Sequence, residues 1–119
     1  MTKPVVLVVE DEPLVRLFAA DMLEDAGFEV LQASNATEAI AALEDRLDVR
    51  VVFTDVDMPG GVSGIQLAAY IRSRWPPIQI IVTSGRPWPA DDPVPANVAF
   101  FPKPYRQEQV LDTVRRMAA

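Results

Sequence analysis

Val5-Val6-Leu7-Val8-Val9 sets five apolar residues in a row, most of them β-branched. A strand with one face in water alternates apolar and polar side chains, so an unbroken run reads as a strand covered on both faces. That is the position of a central strand in a parallel sheet with helices on either side. Four more strand-like segments follow: Glu29 to Ala33, Val49 to Thr54, Ile78 to Thr83 and Val98 to Phe101. Strands that alternate with helical segments predict a doubly wound α/β domain with five parallel strands.

The intervening segments carry helical spacing. From Leu14 to Ala26, Leu14, Phe18 and Met22 recur every four residues with Val15 and Ala19 beside them, and Gly27 is the expected stop. Phe18, Met22 and Phe53 are assigned to the core. Asn35 is the expected cap of a second helix, with Glu38 reaching back, Ala39, Ile40 and Leu43 turned inward, and an end before Asp48. Met58-Pro59-Gly60-Gly61 marks a loop, a third helix runs from about Ser63 to Arg74, and Pro76-Pro77 ends it. A last amphipathic helix covers Tyr105 to Met117, with Val110, Leu111 and Val114 on one face. Arg86 to Asn97 breaks the rhythm, because Pro87, Pro89, Pro93 and Pro95 each remove a donor and restrict the residue before them. The fourth helix of the pattern is therefore expected to be shortened or missing, with room only for a short turn near Ala90-Asp91-Asp92. Trp75 and Trp88, beside prolines, read as packing or surface residues.

Composition removes several function classes. A chain of 119 residues is one domain, residues 1–119, large enough for its own core. The formal net charge of −6 provides no basic stripe, which argues against direct nucleic-acid binding. With no cysteine and no histidine, disulfide frameworks, thiolate or imidazole zinc sites and histidine-based triads are excluded. No apolar stretch approaches the ~20 residues that cross a bilayer, and the first residues do not form a signal peptide, so the cytoplasm is the expected location.

Four strand-like runs end in groups suited to metal or phosphate. Glu10 and Asp11 follow the first run, Asp55 closes Val51-Val52-Phe53-Thr54, Thr83-Ser84 close Ile80-Ile81-Val82, and Lys103 follows Phe100-Phe101-Pro102. In an open parallel sheet such ends gather at one crevice. Any one acid or hydroxyl there could simply begin a loop; compatible groups on all four ends point to a site. Three carboxylates crowded together repel one another unless a cation lies among them, and oxygen ligands alone favour Mg²⁺. A carboxylate beside such an ion and a lysine can attack phosphorus to give an aspartyl phosphate. Lys103 would neutralise the transferring group and the Thr83 hydroxyl would donate to it.

Val9-Glu10-Asp11-Glu12, Thr54-Asp55-Val56-Asp57-Met58-Pro59, Val82-Thr83-Ser84 and Phe101-Pro102-Lys103-Pro104 together resemble the receiver domain of two-component response regulators. The resemblance covers the whole chain. It implies a flavodoxin-like sheet of strand order 2-1-3-4-5 and phosphotransfer from a phosphohistidine on a histidine kinase or histidine phosphotransfer protein. By that resemblance Asp55 is the phosphoacceptor. Glu10 and Asp11 are the acidic pair around Mg²⁺, Asp57 offers its backbone carbonyl to the metal, Thr83 and Phe100 are the switch pair, and Lys103 is the lysine of the site. Such a domain is no enzyme, beyond Mg²⁺-dependent self-phosphorylation and slow self-dephosphorylation. The chain departs from the pattern in a Met58–Gly64 loop one residue longer than the commonest form, a Phe100 without a phenolic hydroxyl, and the proline-rich stretch. The last departure predicts a monomer or weak dimer with contacts through the first or last helix. The Met1 start suits a stand-alone receiver or the front of a longer regulator.

Two other readings are weaker. Asp55-x-Asp57 with Thr83 or Ser84 and Lys103 also resembles haloacid-dehalogenase-type phosphatases, but those put the Asp-x-Asp on the first strand and a second acidic pair after the lysine. Here the other pair, Glu10-Asp11, lies upstream, and only Glu108 and Asp112 follow Lys103, on a helix. A non-phosphorylated scaffold receiver would lack one of the acids or the lysine, and all are present.

Overall fold

The computed structural model describes residues 2–58, 61–89 and 93–119. The chain alternates β1 (Val5–Val9), α1 (Pro13–Asp25), β2 (Glu29–Ala33), α2 (Ala36–Asp45), β3 (Val49–Asp55), α3 (Gly64–Arg74), β4 (Gln79–Ser84), β5 (Val98–Pro102) and α4 (Gln107–Ala118). The strands form one sheet in the order β2-β1-β3-β4-β5, and every neighbouring pair is parallel. This is the predicted doubly wound topology, with strand ends within a residue or two of those read from the sequence.

The unbroken apolar run of β1 has a direct structural cause. Successive side chains of a strand point to opposite faces. Val5, Leu7 and Val9 enter a core layer shared with Ala39, Leu43, Leu67 and Ile71 of α2 and α3. Val6 and Val8 enter the opposite layer, against Ala19, Leu23, Val110 and Val114 of α1 and α4. Every β1 side chain is buried, so a polar residue there would lose water without a partner.

Helix ends follow local chemistry. Gly27 adopts φ 100°, the left-handed region that favours glycine, and stops α1 as expected. The Glu38 N–H donates to Asn35 Oδ1 at 2.8 Å, which confirms the α2 cap. The reach-back differs from expectation: Glu38 Oε1 accepts from the N–H and the hydroxyl of Ser34, both at 2.8 Å, one residue before the cap. Ser63 and Gln66 form a reciprocal capping box at the start of α3. At its end the Arg74 guanidinium lies 4.8 Å from the Trp75 ring centroid, and Trp75 packs on the core.

One core assignment is corrected. Met22 and Phe53 are buried, but Phe18 is 62% exposed and Leu14 80% exposed. The buried residues of α1 are Ala19, Ala20, Met22 and Leu23, so the inward stripe runs through two small side chains that let the helix lie close to the sheet. Phe18 and Leu14 fall beyond the edge of that stripe, so of the four-residue spacing Leu14, Phe18 and Met22 only Met22 turns inward.

Among the described residues no helix lies between β4 and β5, in keeping with the four prolines; Ala90-Asp91-Asp92, where a short turn was expected, lies outside them. Trp88 packs against the core layer beneath α2 and α3 instead. Its ring meets Phe100 edge to face.

Candidate functional site

Sheet register brings the four strand ends together. Val9 pairs with Thr54, Asp55 with Thr83, and Ser84 with Pro102. Glu10 and Lys103 stand one residue beyond the paired ends of β1 and β5, flanking Asp55 and Thr83 at the same edge. Backbone bonds fix each position. The Glu10 N–H donates to Ala33 O at 3.0 Å, that of Val56 to Thr83 O at 2.9 Å, and that of Lys103 to Ser84 O at 2.8 Å. The Lys103–Pro104 peptide is cis.

Glu10, Asp55 and Thr83 are buried and Asp11 is half-buried. One carboxylate oxygen from each of Glu10, Asp11 and Asp55 lies within 4.8 Å of the others. Burial is the main reason that the Glu10 carboxyl is pushed up from 4.5 to about 7; the Glu12 N–H opposes this, and the charge of Asp55 with the neighbouring Asp11 adds to it. Burial, then Glu10 and Asp55, likewise push the Tyr105 phenol upward. Lys103 Nζ lies 3.3 Å from Asp55 Oδ1, close enough for an ion pair. The approach lacks hydrogen-bonding geometry, and the buried Asp55 Oδ1 and Thr83 Oγ1 find no hydrogen-bond partner among the described residues.

Such orphaned oxygens are rare in folded proteins and call for a ligand. Three converging carboxylates fit a hard divalent cation, and the chain's lack of histidine and cysteine leaves oxygen as the donor type. A lysine and a hydroxyl facing the same aspartate fit an anionic group bound to it. The residues present therefore suit Mg²⁺ and a phosphoryl group together.

Five predicted site residues thus converge: Glu10, Asp11, Asp55, Thr83 and Lys103. Asp57 stands beside them, its carboxylate half-exposed and ion-paired with Arg86. Phe100 lies apart from this cluster, half-buried against the core layer beneath α2 and α3, opposite Val82 and in contact with Trp88.

Four contributors were not singled out from the sequence. Arg16 Nη1 donates to Glu10 O at 2.9 Å and braces the end of β1. Tyr105 lines the cleft beside Asp55 and packs edge-on against Phe53, with ring centroids 5.8 Å apart. Arg86 pairs with Asp57. Gly64 opens α3 so close to the phosphoacceptor candidate that a Cβ there would stand 2.1 Å from Asp55 O. A glycine as first residue of a helix was the available signal, because it has no helix-forming advantage there.

Residues 6–115 match the family described as the response regulator receiver domain. Among curated relatives, the sensor kinase CckA of Brucella abortus is 35% identical over 94% of this chain. The hydrogenase transcriptional regulatory protein HoxA of Cupriavidus necator is 36% identical over 93% of it. The chain spans only 12% and 23% of those two proteins. Among solved structures, the receiver domain of the hybrid histidine kinase CckA is 31% identical with a TM-score of 0.80, covering 97% of this chain and 99% of that one. A response regulator receiver protein from Sinorhizobium medicae gives 28% and 0.86, covering 98% and 94%. TrrA from Thermotoga maritima, solved in complex with Mg²⁺-BeF, gives 25% and 0.85, covering 96% and 98%.

Proposed function

The chain belongs to the response regulator receiver domain family, and from that premise we propose that Asp55 is its phosphoacceptor. Receiver domains of sensor kinases and response regulators take part in two-component signalling, as phosphoacceptors rather than catalytic enzymes, with histidine kinases or phosphotransfer proteins as partners. In this chain an Asp55 carboxylate oxygen would form the new bond to phosphorus. The bond from phosphorus to the donor imidazole nitrogen would break, and the imidazole would keep the electron pair. Lys103, 3.3 Å from Asp55 Oδ1, balances negative charge on the transferring group. The Thr83 hydroxyl then donates to a phosphoryl oxygen and satisfies its own hydrogen bond.

Glu10, Asp11, Asp55 and the backbone carbonyl of Asp57 are the groups that would hold Mg²⁺. The ion supplies charge neutralisation for the attacking carboxylate and the phosphoryl oxygens. Phe100 is the aromatic partner of the Thr83 switch; without a phenolic oxygen it buries at little cost in either phosphorylation state.

The observation that carries this reading is the pair of buried orphan oxygens, Asp55 Oδ1 and Thr83 Oγ1, on register-matched residues. The phosphatase alternative would use Asp57 as acid–base, whereas that carboxylate is held by Arg86. Self-phosphorylation from small donors, slow self-dephosphorylation, a monomeric or weakly dimeric state and a cytoplasmic location belong to the same proposal. Among the described residues no helix is long and apolar enough to cross a membrane.

Incubation with acetyl phosphate and Mg²⁺ should add a phosphoryl mass to the wild type and none to Asp55→Asn. An equal gain in both proteins would remove Asp55 from the role.

A further inference from the structure

Arg86 follows the Thr83-Ser84-Gly85 end of β4, and two features fix its backbone. Its N–H donates to the buried Ser84 hydroxyl at 3.0 Å. Pro87, next in the chain, confines it to extended conformations. From that base the guanidinium reaches Asp57, and Nη2 pairs with Oδ1. Asp57 lies two residues beyond Asp55, so this ion pair joins the loops that leave β3 and β4, beside the cleft.

The charge pattern of this edge gives the contact a meaning. Glu10, Asp11, Asp55 and Asp57 are four acidic residues, and a phosphoryl donor is itself an anion. The first three, two of them buried and Asp11 half-buried, converge closely enough to share one cation. Asp57 does not belong to that cluster, so its side-chain charge would face an incoming donor unless another group masked it. Lys103 is committed to Asp55, and Arg86 is the cation paired with Asp57.

We infer that Arg86 is a donor-admitting residue: by masking the Asp57 carboxylate it lets a doubly charged phosphoryl donor approach Asp55. This rests on Asp55 being the phosphoacceptor. Arginine suits the task because it stays charged at any physiological pH and is more weakly hydrated than lysine. The pair is open to solvent, with Arg86 76% and Asp57 46% exposed, so its influence is modest and screened by salt. In the step itself an Asp55 oxygen bonds to phosphorus, the bond from phosphorus to the leaving oxygen or nitrogen breaks, and the leaving group keeps the electron pair. Arg86 touches neither bond; it alters the field through which the donor arrives.

The test compares acetyl phosphate, a dianion at neutral pH, with phosphoramidate, a monoanion. Phosphorylation is followed by intact mass at low ionic strength and saturating Mg²⁺. Arg86→Ala should slow transfer from acetyl phosphate about fivefold, the scale of an exposed ion pair, and transfer from phosphoramidate less. High salt should close the gap. Arg86→Lys should keep the wild-type rate, Asp57→Asn should exceed it with acetyl phosphate, and Arg86→Ala/Asp57→Asn should recover it. Asp57→Asn retains the backbone carbonyl, and it tests the idea even if Arg86→Ala folds poorly.

An unchanged rate in Arg86→Ala, an equal loss with both donors, or no recovery in the double variant would overturn the inference and leave Arg86 as a loop anchor. A wild type that gains no phosphoryl mass relative to Asp55→Asn would instead overturn the assignment of Asp55. The two failures are therefore distinguishable.

Discussion

The indole of Trp88 meets the phenyl ring of Phe100 edge to face, with centroids 5.6 Å apart and planes at 68°. Edge-to-face pairs of this kind contribute about 0.5–1.5 kcal/mol beyond the area they bury. Trp88 thus covers, with one side chain, part of the surface that a helix between β4 and β5 would have covered. If Phe100 shifts when Asp55 is phosphorylated, Trp88 must shift with it. Tryptophan emission should change on phosphorylation in the wild type and in Trp75→Phe, and stay flat in Trp88→Phe. An undiminished change in Trp88→Phe would separate the ring pair from the switch.

Gly64 should tolerate no side chain. An added Cβ would meet Asp55 O at 2.1 Å and Val56 Cα at 2.9 Å, and both neighbours are backbone. Overpacking against atoms that cannot rotate away costs about 1–3 kcal/mol. Gly64→Ala should lower the unfolding midpoint in urea and also slow phosphorylation, because relief requires the Asp55 backbone to move. Wild-type stability together with wild-type phosphorylation would show that the α3 start can back away freely.

Thr83 separates stability from signalling. Its buried hydroxyl finds no partner among the described residues, and an unsatisfied buried polar group costs about 1–3 kcal/mol. Thr83→Val keeps the shape and removes that oxygen, so urea denaturation should show equal or greater stability. The variant should still accept phosphate at Asp55, while NMR shifts near Phe100 should respond less to phosphorylation than in the wild type. A destabilised Thr83→Val would mean that the hydroxyl is already satisfied, for example by water.

Glu10 predicts a pH dependence. In the folded metal-free protein its carboxyl is held at about 7, against an ordinary 4.5. Between those values the unfolded chain has released the proton and the folded chain has kept it. Folding then takes up a proton, so stability falls as pH rises through the window. Exposed carboxylates held low by partners, such as Glu38 and Asp48, change in the opposite sense at lower pH. The informative quantity is therefore wild type minus Glu10→Gln, measured in chelator from pH 4.5 to 7. That difference should fall with pH, and Mg²⁺ should flatten it. A difference independent of pH in chelator would contradict the raised carboxyl.

Much of the fold was legible because strand burial writes itself into composition. The doubly apolar run Val5–Val9 and the acids, hydroxyl and lysine at strand ends were readable without any contact being known. What remained hidden depends on distances between segments far apart in sequence. The period through Leu14, Phe18 and Met22 reveals an apolar strip but not which side of α1 meets the sheet; small Ala19 and Ala20 decide that, and leave Phe18 outside. Glu38 reaches Ser34 rather than Asn35 through a geometry too local for a spacing rule. The Arg86–Asp57 pair joins two loops across 29 positions, and nothing periodic announces it.

The parallel order of the sheet carries a consequence for synthesis. No two neighbouring strands are joined by a hairpin, so each ladder must wait for a crossover to be completed. Glu10 is made before Lys103, with β3 and β4 between them. A nascent chain on the ribosome therefore has its acids long before it has the cation that balances them. A product that stopped before β5 would hold the three carboxylates without Lys103, the cation that lies 3.3 Å from Asp55 Oδ1.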